Sequence, residues 1–147
     1  SLYTDAWLAY TDATRLTSDT ALADRAYKIA LAMKDKDKIV KSKKLLDTLD
    51  PDNEVNLLTR ALSECKSGHW QSAEIVLTRA AKKSDDVLSL FEQFADESSV
   101  LSDKVRRYAL LEALRNHVNP NSYVEHTLAY AAKEANLDQK ALDHALA

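Results

Sequence analysis

The sequence predicts an all-α fold, and three observations carry that prediction. The 147 residues contain one glycine and two prolines, too few for the turns that a chain of β-hairpins consumes. Alanine, leucine, lysine and aspartate dominate, a mixture of helix formers with polar capping residues. Apolar or small residues also recur at steps of three and four, as at Ala73, Leu77 and Ala80, which places them on one face of a 3.6-residue helix. At 46% apolar and 29% charged, the chain can bury a core and lies outside the disordered range.

Stops and caps then divide the chain into about nine helices. The first runs from Leu2 to about Leu16, with Ala6, Tyr10 and Ala13 on one face, and Thr17-Ser18-Asp19 closes it and caps the next. The second spans Thr20 to Met33, with Ala23, Tyr27, Ala30 and Leu31 as its inward stripe. A third occupies Lys36 to Leu49, carrying Ile39, Val40, Leu45, Leu46 and Leu49, and Asp50-Pro51-Asp52-Asn53 ends it because proline cannot continue a helix interior. The fourth, Glu54 to Lys66, leads into Gly68, where a positive φ costs nothing, and the fifth covers Trp70 to Lys82. Ser84-Asp85-Asp86 caps a sixth from Val87 to Asp96, and a seventh runs from Val100 to Val118 before the stop at Asn119-Pro120-Asn121. Ser122 and Glu125 have capping-box spacing for an eighth helix reaching Ala135, and Asn136 suits a left-handed C-cap before a ninth, Asp138 to Leu146.

Short connections demand antiparallel neighbours, so the spacing of the stops becomes informative. Pro51 and Asp85 lie 34 residues apart, and Pro120 follows 35 after Asp85. Ala61 and Ala73 flank Gly68 at a separation of twelve, as Ala129 and Ala141 flank Asn136. A helix–turn–helix period of 34 is the tetratricopeptide signature. The predicted hairpins are 20–53, 54–87, 88–121 and 122–147, forming one repeat domain preceded by an unpaired helix over 2–17.

On these residues the chain resembles the tetratricopeptide repeat (TPR) family. The best unit is Glu54 to Val87, where Ala61, Gly68, Trp70, Ala73, Leu77 and Ala80 stand where that family places small and aromatic residues. It departs at Glu64, where a tyrosine is common, at Asp85 in place of the closing proline, and at Lys34 and Lys36 in place of a glycine and an aromatic. The unit from Leu88 to Asn121 fits only with a one-residue insertion. The stretch Arg25 to Ala32, with Leu49-Asp50-Pro51-Asp52-Asn53, is also similar to TPR proteins of the Gram-negative envelope, which leans localisation toward a bacterial envelope, cytoplasmic or periplasmic. The resemblance implies a right-handed α-solenoid acting as a scaffold or adaptor, binding a peptide or partner protein in a concave groove without cofactor.

By helical spacing that groove would carry Asp24, Lys28 and Leu31, then Leu58, Leu62, Cys65 and Lys66, and finally Tyr123, His126, Tyr130 and Lys133. For the leucines and Tyr130 a core role weighs about equally. The asparagine–lysine pattern of chaperone-tail-binding TPR proteins is missing.

Other chemistry is thinly represented. Cys65 and His69 are four apart, but a zinc site needs three or four ligands. For a hydrolase using Cys65, pairing with a distant histidine is too common to be informative, phosphate-cradling loops need glycines, and no apolar run is long enough to span a membrane. The single cysteine excludes an intrachain disulfide. A net charge of −3 argues against a general nucleic-acid binder. The exception is Lys34, Lys36, Lys38, Lys41, Lys43 and Lys44, interrupted only by Asp35 and Asp37 among charged residues, which would suit nucleic acid or an anionic surface. A solvated helix face is the plainer reading, because no aromatic is interleaved for base stacking. The chain opens on Ser1, and Leu2, Trp7, Leu8 and Leu16 make the first helix apolar for a terminal cap. A piece of a longer array, or self-association through that helix, is the expectation.

Overall fold

The computed structural model describes residues 1–147 and is helical throughout, with nine α-helices and no strand. The chain divides into two compact units, Ser1–Asn53 and Glu54–Ala147, with the boundary just past the Pro51 stop.

The first unit holds α1 (Leu2–Thr17), α2 (Thr20–Met33) and α3 (Lys36–Leu49). Asp19 and Asp35 cap α2 and α3 by accepting hydrogen bonds from the amides of Ala21 and Lys38. The helix α1 is not unpaired, since α2 packs against both α1 and α3. The buried face of α1 lies one residue beyond the expected stripe: Trp7, Thr11 and Thr14 are buried, whereas Ala6, Tyr10 and Ala13 are only half-buried. Trp7 sets that rotation, because its indole N–H donates to the buried Ser42 hydroxyl of α3 at 2.7 Å. On α2 the inward residues are Ala23, Ala26 and Ala30, so Tyr27 moves to the margin and Leu31 to the surface.

The second unit holds α4 (Glu54–Lys66), α5 (Trp70–Lys83), α6 (Val87–Glu97), α7 (Lys104–Arg115), α8 (Ser122–Glu134) and α9 (Asp138–Ala145). Its core is continuous, from Leu57 and Leu77 through Phe91, Phe94 and Leu111 to Leu128. The pairs α4–α5 and α8–α9 are the closest hairpins, while α7 leans on α8 and α5 more than on α6. The seventh helix starts at Lys104 and not at Val100, because Ser98–Val100 form a 3₁₀ turn and Asp103 caps the helix through the amide of Arg106. That turn is held by Arg107, whose guanidinium donates to the Ser98 hydroxyl at 3.0 Å and the Ala95 carbonyl at 2.7 Å. Burial pulls the Arg107 pKa below its ordinary value, although the charge of Glu134 opposes this.

Three inter-helix turns share one geometry. Lys34, Gly68 and Asn136 all have positive φ, at 55°, 78° and 59°, and they fall 34 and 68 residues apart. At each, the following amide reaches back to a carbonyl in the last helical turn: Asp35 to Ala30, His69 to Glu64 and Leu137 to Ala132. These are Schellman caps, which satisfy helix-end carbonyls and reverse the chain. The repeat-like spacing of the sequence is thus repeated in the backbone of its turns.

Candidate functional site

The side chains that gather at an open surface lie on α8 and α9. Asn119-Pro120-Asn121 stops the preceding segment, and the Asn121 side chain then caps α8 by accepting from the amides of Tyr123 and Val124. The expected capping box is therefore not formed. Ser122 is the first helical residue, and Glu125 is turned away toward α7 and α9. The core face of α8 is Val124, Leu128, Ala131 and Ala132, which leaves Tyr123, His126, Tyr130 and Lys133 exposed. Tyr130 is 65% exposed, so it is a surface residue and not part of the core.

Between α8 and α9 runs a groove of about 600 Å³. Its α8 wall carries His126, Ala129, Tyr130 and Lys133, and its α9 wall carries Ala141, Leu142 and Ala145. The alanines make it a groove, because at these positions nothing larger than a methyl group fills the space between the helices. Tyr123 is exposed on the same helix but does not line the groove.

Two of its lining residues, Glu125 and His144, belong to a cluster of five groups that joins α7, α8 and α9. The carboxylate of Glu125 accepts from Arg115 at 2.5 Å and from the Nδ1 of His144 at 2.7 Å. The Nε2 of His144 lies 2.7 Å from the Tyr108 hydroxyl, which donates in a short bond to Glu112. Burial alone would raise the Glu125 pKa, but the bonds from His144 and Arg115 outweigh it and hold the group below the ordinary carboxylate range. The Tyr108 hydroxyl is pushed well above its ordinary value by burial and then by the Glu112 carboxylate. The sequence places His144 in no ligand-rich context, and its partners explain why: they come from α7 and α8, at separations of 36 and 19 residues. No group of three or more His, Cys, Asp or Glu side chains is arranged to hold a metal ion.

The other expected groove residues do not join this surface. Leu58, Leu62 and Cys65 are buried in the core of the second unit, because the inward face of α4 is Leu57, Leu58, Ala61, Leu62 and Cys65. Burial also pushes the Cys65 thiol up to about 11, the opposite of what an activated nucleophile needs. His69 turns from Cys65 to Glu64, with its Nδ1 3.0 Å from that carboxylate. Lys66 is exposed at the end of α4. In the first unit, Asp24 and Lys28 pair with each other at 2.8 Å, and Leu31 is exposed on the same helix.

The basic stretch is partly neutralised. Lys38 pairs with Asp35 at 2.9 Å and lies over the Trp7 ring, and Lys43 pairs with Asp47 at 2.6 Å. Lys34, Lys36, Lys41 and Lys44 remain exposed.

No protein-family model matches the chain, and no curated protein matches it significantly. The functional reading therefore rests on the geometry of the molecule. No helix is long and apolar enough to cross a membrane.

Proposed function

We propose that the chain is a non-catalytic protein-interaction module of the TPR type, serving as a scaffold or adaptor that receives a segment of a partner protein along α8 and α9. One observation supports this reading above the others: His126, Tyr130 and Lys133, expected on a binding face from their spacing alone, line the groove between those helices. Tyr130 offers large apolar area with a polar tip at low conformational cost, which is why tyrosines recur at interaction hot spots. The small-residue floor admits an aliphatic or aromatic side chain from the partner, and Lys133 and His126 at the rim can fix its polar flanks.

The test is affinity capture with the intact chain beside a Tyr130→Ala variant, both shown to be equally helical by circular dichroism. A partner retained by the first and lost by the second supports the groove. An identical set of captured proteins overturns it. The alternative, an anionic surface or nucleic acid held by Lys34 to Lys44, has four exposed lysines in its favour. It makes a separate demand, a steep loss of binding as salt rises, whereas a largely apolar groove responds weakly to salt.

A further inference from the structure

The cluster that joins α7, α8 and α9 is more than packing. The helix α9 is only eight residues long, and the one residue it buries fully is His144, 8% exposed. A helix of that length has little stability of its own, so its contacts decide whether it stays docked. Leu137 and Ala141 lie against the core at its start, and near its end the attachment is polar.

Both ring nitrogens face an acceptor. Tyr108 has one hydroxyl proton, and it is directed to Glu112, which leaves the phenol oxygen free to accept from Nε2. On the other side Nδ1 faces Glu125, a carboxylate already paired with Arg115. A ring protonated at both nitrogens donates to both partners. Its surroundings suit that charge: α7 contributes Glu112, Arg115 and Tyr108, α8 contributes Glu125, and on α9 itself Lys140 lies 6.0 Å from the Tyr108 ring centre. A protonated His144 together with Arg115 would balance the two glutamates.

We propose that His144 is a pH-operated latch that fastens α9 to α7 and α8 while protonated and loosens it on losing its proton. When the ring gives up the proton on Nε2, that nitrogen becomes an acceptor and draws the Tyr108 hydroxyl proton away from Glu112. Glu112 then loses its donor, the two carboxylates outnumber the nearby Arg115, and α9 is left attached through the Nδ1–Glu125 bond without the ion pair. Glu125 sets a limit on the acid side: its folded-state pKa is depressed, so its contribution stands above the unfolded carboxylate value and fades as pH falls through the folded one. Since α9 forms one wall of the groove, opening it would reshape that surface, but the latch itself stands whether or not a partner binds.

The experiment follows the His144 ring by NMR from about pH 5 to about pH 9, the range that brackets histidine titration. Amide-exchange protection factors of α9, normalised for intrinsic exchange, are measured across the same series. Protection in Ala141–Leu146 should fall by roughly ten-fold or more as the ring deprotonates, the loss expected for a hydrogen bond to a charged group. His144→Gln should show low protection with no step in that range. A ring that titrates with no change in α9 protection overturns the latch, as does a step that survives in His144→Gln. Should that variant fail to fold, the wild-type titration decides alone. None of these readouts involves a partner, so a failed groove and a failed latch are distinguishable.

Discussion

The two units of this chain are built from similar helices but held by different means. The larger one buries Phe91, Phe94, Leu90, Leu111 and Leu128 in one continuous core. The smaller one clusters Trp7, Ala26 and Ala30, with Tyr10, Ile29, Met33 and Ile39 packed around them, and buries Ala23 and Leu46 besides. Alanine contributes little apolar area, so the small unit has less hydrophobic stabilisation per helix. Polar contacts carry more of its structure: the indole–Ser42 bond, the Lys38 ammonium over the Trp7 ring, and Asn53, whose amide donates to Asp47 and to the Asp50 carbonyl, both at 2.9 Å. It also encloses the Thr11 hydroxyl without a partner. Close approach of alanine-faced helices brings the backbones together, but it leaves the fit dependent on a few directional bonds.

The sharpest way to break the comparison is to hollow out the large core. Phe94→Ala should cost about 3–5 kcal/mol, the usual range for a fully buried aromatic, read as a fall in the urea midpoint. Trp7→Phe probes the small unit while keeping an aromatic ring at the site. It removes the indole donor and strands the buried Ser42 hydroxyl, so about 1–3 kcal/mol should be lost. Amide exchange in α1–α3 should report it; unchanged protection there would mean that apolar contact alone holds α1. Thr11→Val moves in the other direction. Replacing an unsatisfied buried hydroxyl with a methyl should gain about 1 kcal/mol, seen as a higher thermal midpoint.

The smallest effects compare the matching turns of the two units. Gly68 has positive φ and open space where a Cβ would point, so Gly68→Ala should cost about 1 kcal/mol through backbone strain alone. Lys34 already bears that strain in the equivalent turn, so Lys34→Gly should gain at most about 1 kcal/mol. If neither changes the thermal midpoint, the shared turn geometry carries no energetic weight.

The helix boundaries were legible because caps and stops are local. Asp19, Asp35, Asp86, Gly68, Asn136 and the prolines act within one or two turns of themselves, and most helices begin and end where these residues place them. The seventh helix is the exception, and its cause is distant: Ser98–Val100 turn early because Arg107, further along the chain, reaches back to them. Periodicity alone left the choice of face open. Trp7 in place of Ala6 and Tyr10 turns inward because Ser42 offers its indole a partner. Leu58, Leu62 and Cys65 are core for the same kind of reason, since their face of α4 meets α5 and α6.

By itself, then, the sequence determined the number of helices, nearly all their ends and the 34-residue rhythm of the turns. Each of these depends on residues a few positions apart. The rotation of α1, the burial of α4 and the meeting of Arg115, Glu125, His144, Tyr108 and Glu112 were decided by tertiary structure alone. A charge or an indole far along the chain acquires a partner only when helices pack, and no spacing rule connects α7 to α9.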